Sequence, residues 1–61
     1  MYAIKLNKPC HKHDGKYVHI YFRTYVSLRI ASRFKTREEA ERERGIDEQV
    51  VKIDLQWVEI E

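Results

Sequence analysis

The chain has 61 residues, a single cysteine and a net charge of +2. A chain this short forms one domain and buries only about 60% of the surface it exposes when unfolded, which leaves little interior for a deep substrate cleft. The lone thiol, Cys10, excludes an internal disulfide and fits a reducing compartment, and no apolar run approaches the roughly 20 residues that span a bilayer.

The first expected element is a short strand in which Tyr2, Ile4 and Leu6 alternate with Ala3 and Lys5. The start of the chain lacks the long apolar segment of a signal peptide. Residues 7–15 read as a loop, because Pro9 lacks an amide donor and Asp14-Gly15 is a strong turn signal. From Lys16 the alternation resumes. Val18, Ile20 and Phe22 take one face, and Tyr17, His19, Tyr21 and Arg23 the other. A third strand sets Val26, Leu28, Ile30 and Phe34 against Ser27, Arg29, Ala31 and Arg33.

Parity chooses the turn between these strands. A two-residue loop at Arg23-Thr24 drives Arg29 into the core. A three-residue loop at 23–25 pairs Phe22 with Val26, Ile20 with Leu28 and Val18 with Ile30, keeping all the apolar residues on one face.

Thr36 and Glu39 then form a T-x-x-E capping box, so a helix of about two and a half turns is expected from Thr36. Glu38 and Glu39 suit its positive end, Glu38 and Arg42 are an i,i+4 pair, and Gly45 stands where a left-handed cap belongs. Ala40 is its small apolar contact, so the helix must lie on the sheet through Ala40 and the aliphatic stems of its long neighbours. The last strand, 49–60, carries Val51, Ile53 and Leu55 on one face. Its phase breaks at Trp57, Val58 and Ile60, which calls for a bulge near Gln56-Trp57 or for packing of this edge against a second copy in a homodimer.

The chain is therefore expected to be a single α+β domain over residues 1–61: a mainly antiparallel sheet of about four strands with one short helix, in the order β-β-β-α-β. Charge divides it. Residues 1–37 carry nine Lys or Arg against Asp14 alone, a net +8, while residues 38–61 carry a net −6. Such a field suits an anionic partner at one end.

On the outer face of the central hairpin, Tyr17, His19, Tyr21, Arg23, Arg29, Arg33 and Lys35 combine rings with cations. Rings stack on bases and cations neutralise phosphates, which is what a nucleic-acid-binding sheet needs; a two-stranded ribbon also enters a DNA major groove. A protein partner, or simply a solvated second face, accounts for the same residues. Cys10-His11-Lys12-His13-Asp14 contains zinc-ligand types, but adjacent residues in a short loop cannot easily surround one ion, so no metal or other cofactor is expected. A Cys-His nucleophile needs a pocket and an orienting group that nothing here supplies, and the helix carboxylates alternate with arginines as a solvated face does. The expectation is a protein that binds without catalysis.

The run Arg33-Phe34-Lys35-Thr36-Arg37-Glu38-Glu39-Ala40-Glu41, following two basic, aromatic strands, resembles the arm-type DNA-binding domains of phage integrases and the three-stranded domains of plant ethylene-response factors. The resemblance covers residues 16–44. It implies a sheet lying in the major groove with a helix bracing its back, Phe34 and Ala40 at the packing junction, and Arg23, Arg29 and Arg33 on DNA-facing strands. The strand-helix-strand ending is similar in architecture to small phage proteins that inhibit host enzymes such as RNA polymerase or CRISPR effectors. Two partners stay open on these grounds: nucleic acid, or a host protein that handles nucleic acid. Either way the expected setting is a phage or mobile element and a cytoplasmic location, with no membrane association.

Overall fold

A computed structural model describes residues 1–54, 56 and 58–60. The elements are β1 (Tyr2–Leu6), β2 (Tyr17–His19), β3 (Thr24–Val26), a 3-10 turn (Leu28–Ile30), α1 (Arg37–Glu43), β4 (Glu48–Ile53) and β5 (Glu59–Ile60). The strands form one antiparallel sheet in the order β3-β2-β1-β4-β5. This is the α+β arrangement expected, with a fifth strand.

β1 is the axis of the sheet. It pairs with β4 along its whole length, from Tyr2 opposite Lys52 to Leu6 opposite Glu48. Its other edge is shared: Lys5 sits opposite Tyr17 of β2, while Tyr2 exchanges two 2.8 Å backbone hydrogen bonds with Phe34. A strand whose side chains are this buried needs both edges satisfied, and they are.

Both faces of the sheet are covered. On the helix side Ile4, Val18, Phe34 and Val50 cluster around Ala40, which is fully buried, with Tyr2 and Tyr25 at the margin. On the opposite side Ala3, Val51 and Ile53 form a second cluster with Tyr17 and Leu28 packed against it. Burying both faces explains why Ala3 and Ile4, neighbours in β1, are each fully enclosed.

The two-sided core corrects the expected hairpin. Tyr17 pairs with Val26, Val18 with Tyr25 and His19 with Thr24, across the four-residue turn Ile20–Arg23. The parity argument assumed one apolar face. Here an even loop places Val18 and Tyr25 towards the helix and Tyr17 and Val26 towards the second cluster, so the objection to even parity disappears. The turn needs no glycine because Arg23 itself takes the left-handed conformation, at φ 53°. Its entry is held by the Ile20 amide donating to Ser32 Oγ at 2.9 Å and the Phe22 amide donating to His19 Nδ1 at 3.3 Å.

Other expectations shift for local reasons. β3 stops at Val26, so Leu28 and Arg29 lie in the 3-10 turn, and Arg33 and Lys35 lie beyond it rather than on a strand. Ile30 is exposed. Thr36 caps α1 by accepting the Glu39 amide at 3.2 Å, but the Glu39 carboxylate accepts the Thr36 hydroxyl, at 3.3 Å, in place of its amide. Arg44 Nε bonds Glu41 Oε1 at 2.6 Å, and the expected Glu38–Arg42 pair is not formed among the described residues. Arg44, in extended conformation, ends the helix, and Asp47, not Gly45, takes the left-handed position at φ 65°. Gly15 does take it, at φ 85°, in the turn expected at Asp14-Gly15.

The final strand is a hairpin rather than a bulged strand. The Asp54 amide donates to the Val58 carbonyl at 3.0 Å, and the Asp54 carboxylate accepts the amides of Gln56 and Val58. The chain therefore reverses and sets Glu59 opposite Ile53. Leu55 and Trp57, expected on the core face and at the edge, lie outside the described residues. No helix among the described residues is long and apolar enough to cross a membrane.

Candidate binding surface

The seven candidate residues separate into three groups. Tyr17 is half-buried and packs on the second cluster. Its hydroxyl donates to Glu59 Oε2 at 2.5 Å, and the Lys5 ammonium reaches the same oxygen at 2.9 Å. Burial, reinforced by the bond to Glu59 and its charge, pushes the Tyr17 phenol up to about 12. The Tyr17 bond, with help from Lys5 and against some desolvation, holds the Glu59 carboxyl below its ordinary value. Tyr17 thus ties β2 to β5 across the sheet, and its hydroxyl is already engaged.

His19, Tyr21 and Arg23 do come together, at the Ile20–Arg23 turn, with Phe22 among them. Tyr21 is 83% exposed and Phe22 70%. The rings form a chain: His19 to Phe22 at 4.7 Å and Phe22 to Tyr21 at 5.3 Å, the latter edge-on at 80°. Arg23 follows directly, exposed and making no hydrogen bond or ion pair with the described residues. Arg29, Arg33 and Lys35 form the third group, exposed on the segment between β3 and α1.

Phe22 escaped the sequence reading because period-two alternation runs unbroken through Val18, Ile20 and Phe22 and so assigns Phe22 to the core. No local signal marks the turn: it has no Gly, Pro or Asn. The strand ends at His19, where the Ile20 amide turns to the distant Ser32 hydroxyl and the Phe22 amide to His19 Nδ1.

Beside the turn lies a half-open groove of about 280 Å³, lined by Ile20, Arg23, Tyr25, Glu43 and Glu48 among others. Glu48 is spoken for: Oε2 accepts the Tyr25 hydroxyl at 2.7 Å and Oε1 the Gly45 amide at 2.7 Å. The bond to Glu48 raises the Tyr25 phenol, with desolvation adding to it. The 7–16 loop folds against the other side of Tyr25, whose ring lies 5.7 Å from His11 and 5.9 Å from His13. Partial desolvation and the charges of Lys12, His11 and Lys16 hold the His13 imidazole below its ordinary value. His11 Nδ1 accepts the His13 amide at 3.0 Å and Asp14 Oδ1 the Lys8 amide at 2.9 Å, so these groups serve the loop. Among the described residues no three His, Cys, Asp or Glu side chains converge as metal ligands do. Cys10 is exposed.

The C-terminal edge expected to pair with a second copy is β5, only two residues long, with Ile60 in it and Val58 just before it both exposed. Comparison with protein-family models, with curated proteins and with solved structures finds no match for the chain.

Proposed function

We propose that the protein is a non-catalytic binding module and that its ligand is nucleic acid, engaged by the Ile20–Arg23 turn. The observation that carries this reading is the pair of exposed rings, Tyr21 and Phe22, followed at once by the exposed cation Arg23. Large aromatic side chains are costly to leave in water, and their faces are the surfaces on which bases stack. The net +8 of residues 1–37 supplies the field that draws a polyanion towards this part of the chain. Arg29, Arg33 and Lys35 add to that field from the neighbouring segment, and their role is phosphate attraction rather than base reading.

Binding of this kind weakens steeply with salt, because each neutralised phosphate releases a counterion. Fluorescence anisotropy of labelled oligonucleotides tests it: a rise at low salt that collapses as salt increases is the expected outcome. No change at low salt with any oligonucleotide removes the reading. The same rings also suit a pocket on a host protein that handles nucleic acid. A pull-down with and without nuclease separates the two, since partner recovery that survives nuclease and is lost in Phe22→Ala assigns the turn to a protein.

A further inference from the structure

Resting on the nucleic-acid reading, we infer that the ligand is single-stranded, with unpaired bases stacking on Tyr21 and Phe22. The flat side of the β2–β3 hairpin is poorly placed to serve as a ribbon in a major groove. Each strand has three residues, so the ribbon is only about 10 Å long. On the side away from the helix Tyr17 is tied to Glu59, which Lys5 also reaches, and Val26, on the same side, is half-buried. What projects is the turn. Its two leading rings stand at 80° to each other with centroids 5.3 Å apart, so they point their faces in different directions rather than forming one flat reading surface.

Base faces in a duplex are already covered by their neighbours, and opening a step costs about a few kcal/mol before any protein ring gains contact. An unpaired base presents its face at no such cost. Charge points the same way. A duplex carries a charge roughly every 1.7 Å and is held by a stripe of cations, whereas at the turn Arg23 shares its groove with Glu43 and Glu48. A second row of phosphates on that side would meet carboxylates. A single strand carries one row of phosphates and asks for fewer cations than a duplex.

The test is a set of anisotropy titrations at low salt with a single-stranded DNA of about 12 nucleotides, the RNA of the same sequence and the DNA duplex. At least one single strand is expected to bind about tenfold or more tighter than the duplex. Tyr21→Ala and Phe22→Ala should each weaken single-strand binding by about fivefold or more, with circular dichroism unchanged because both side chains are exposed. Phe22→Leu keeps an apolar side chain and loses the ring face, so it should behave as Phe22→Ala does. Arg23→Gly keeps the left-handed turn and removes the cation, so it should flatten the salt dependence. Duplex binding as tight as single-strand binding, or Phe22→Leu binding like the parent, overturns the single-strand inference while nucleic-acid binding stands. Absence of binding to all three probes overturns both.

Discussion

Glu59 Oε2 receives a hydroxyl and an ammonium within 3 Å, from Tyr17 at 2.5 Å and Lys5 at 2.9 Å. The arrangement couples stability to pH at both ends of the scale, and the signs follow from linkage. Tyr17 binds its proton more tightly folded than unfolded, so its contribution is complete below the ordinary value of 10.0 and disappears as pH rises towards about 12. Glu59 holds its proton less tightly when folded. Its contribution is present above the ordinary value of 4.5 and is lost as pH falls through the lowered one. Both side chains keep substantial contact with solvent, which weakens the effect. Urea midpoints measured against pH should fall on both flanks, and Tyr17→Phe should shrink the alkaline flank to the share left by Tyr25, whose phenol is also raised, and flatten the acid flank in part. An unchanged alkaline flank in Tyr17→Phe would show that the hydroxyl is not so engaged.

At the scale of elements, α1 has seven residues and one fully buried side chain, Ala40, so little of its stability is its own. Its start depends on the Thr36 hydroxyl accepting the Glu39 amide. Thr36→Ala should cost about 1 kcal/mol, which for a domain of this size lowers the melting temperature by roughly 4–8 °C. Thr36→Ser should restore most of that. The helix start was legible in the residues because a T-x-x-E pattern is local chemistry. The helix end was not, because Gly45 is a plausible left-handed cap and Asp47 takes that conformation instead. Backbone pairing makes the choice: the Asn7 amide donates to the Asp47 carbonyl at 2.7 Å, fixing where β4 begins. The turn between β2 and β3 was hidden for a similar reason, since its position depends on Ser32, twelve residues from Ile20.

For the molecule as a whole, β1 stands between two small clusters that share its backbone, so damage to one side reaches the other. Ile4 is fully buried at the centre of the helix-side cluster. Ile4→Ala should cost about 2–5 kcal/mol, a large share of the roughly 5 kcal/mol at the low end of domain stabilities, where so small a core belongs. Circular dichroism should then show a substantial unfolded fraction at room temperature. Ile46→Ser, at a side chain 89% exposed, should change stability by no more than about 0.5 kcal/mol. Equal effects from the two would mean that Ile4 is not enclosed.

Local and periodic features were settled by the residues themselves: strand β1, the Asp14-Gly15 turn, the capped start of α1, the α+β class and the division of charge along the chain. Each follows from chemistry acting within a few neighbours. The register of β2 on β3, the reversal at Asp54 and the exposure of Phe22 were decided by the tertiary structure, because a period of two says which residues share a face but not how many faces are buried. With β2 ending at His19 and its turn held by Ser32, Phe22 lies in the turn and not on a strand. It became, with Tyr21 and Arg23, the most exposed aromatic site described in the fold.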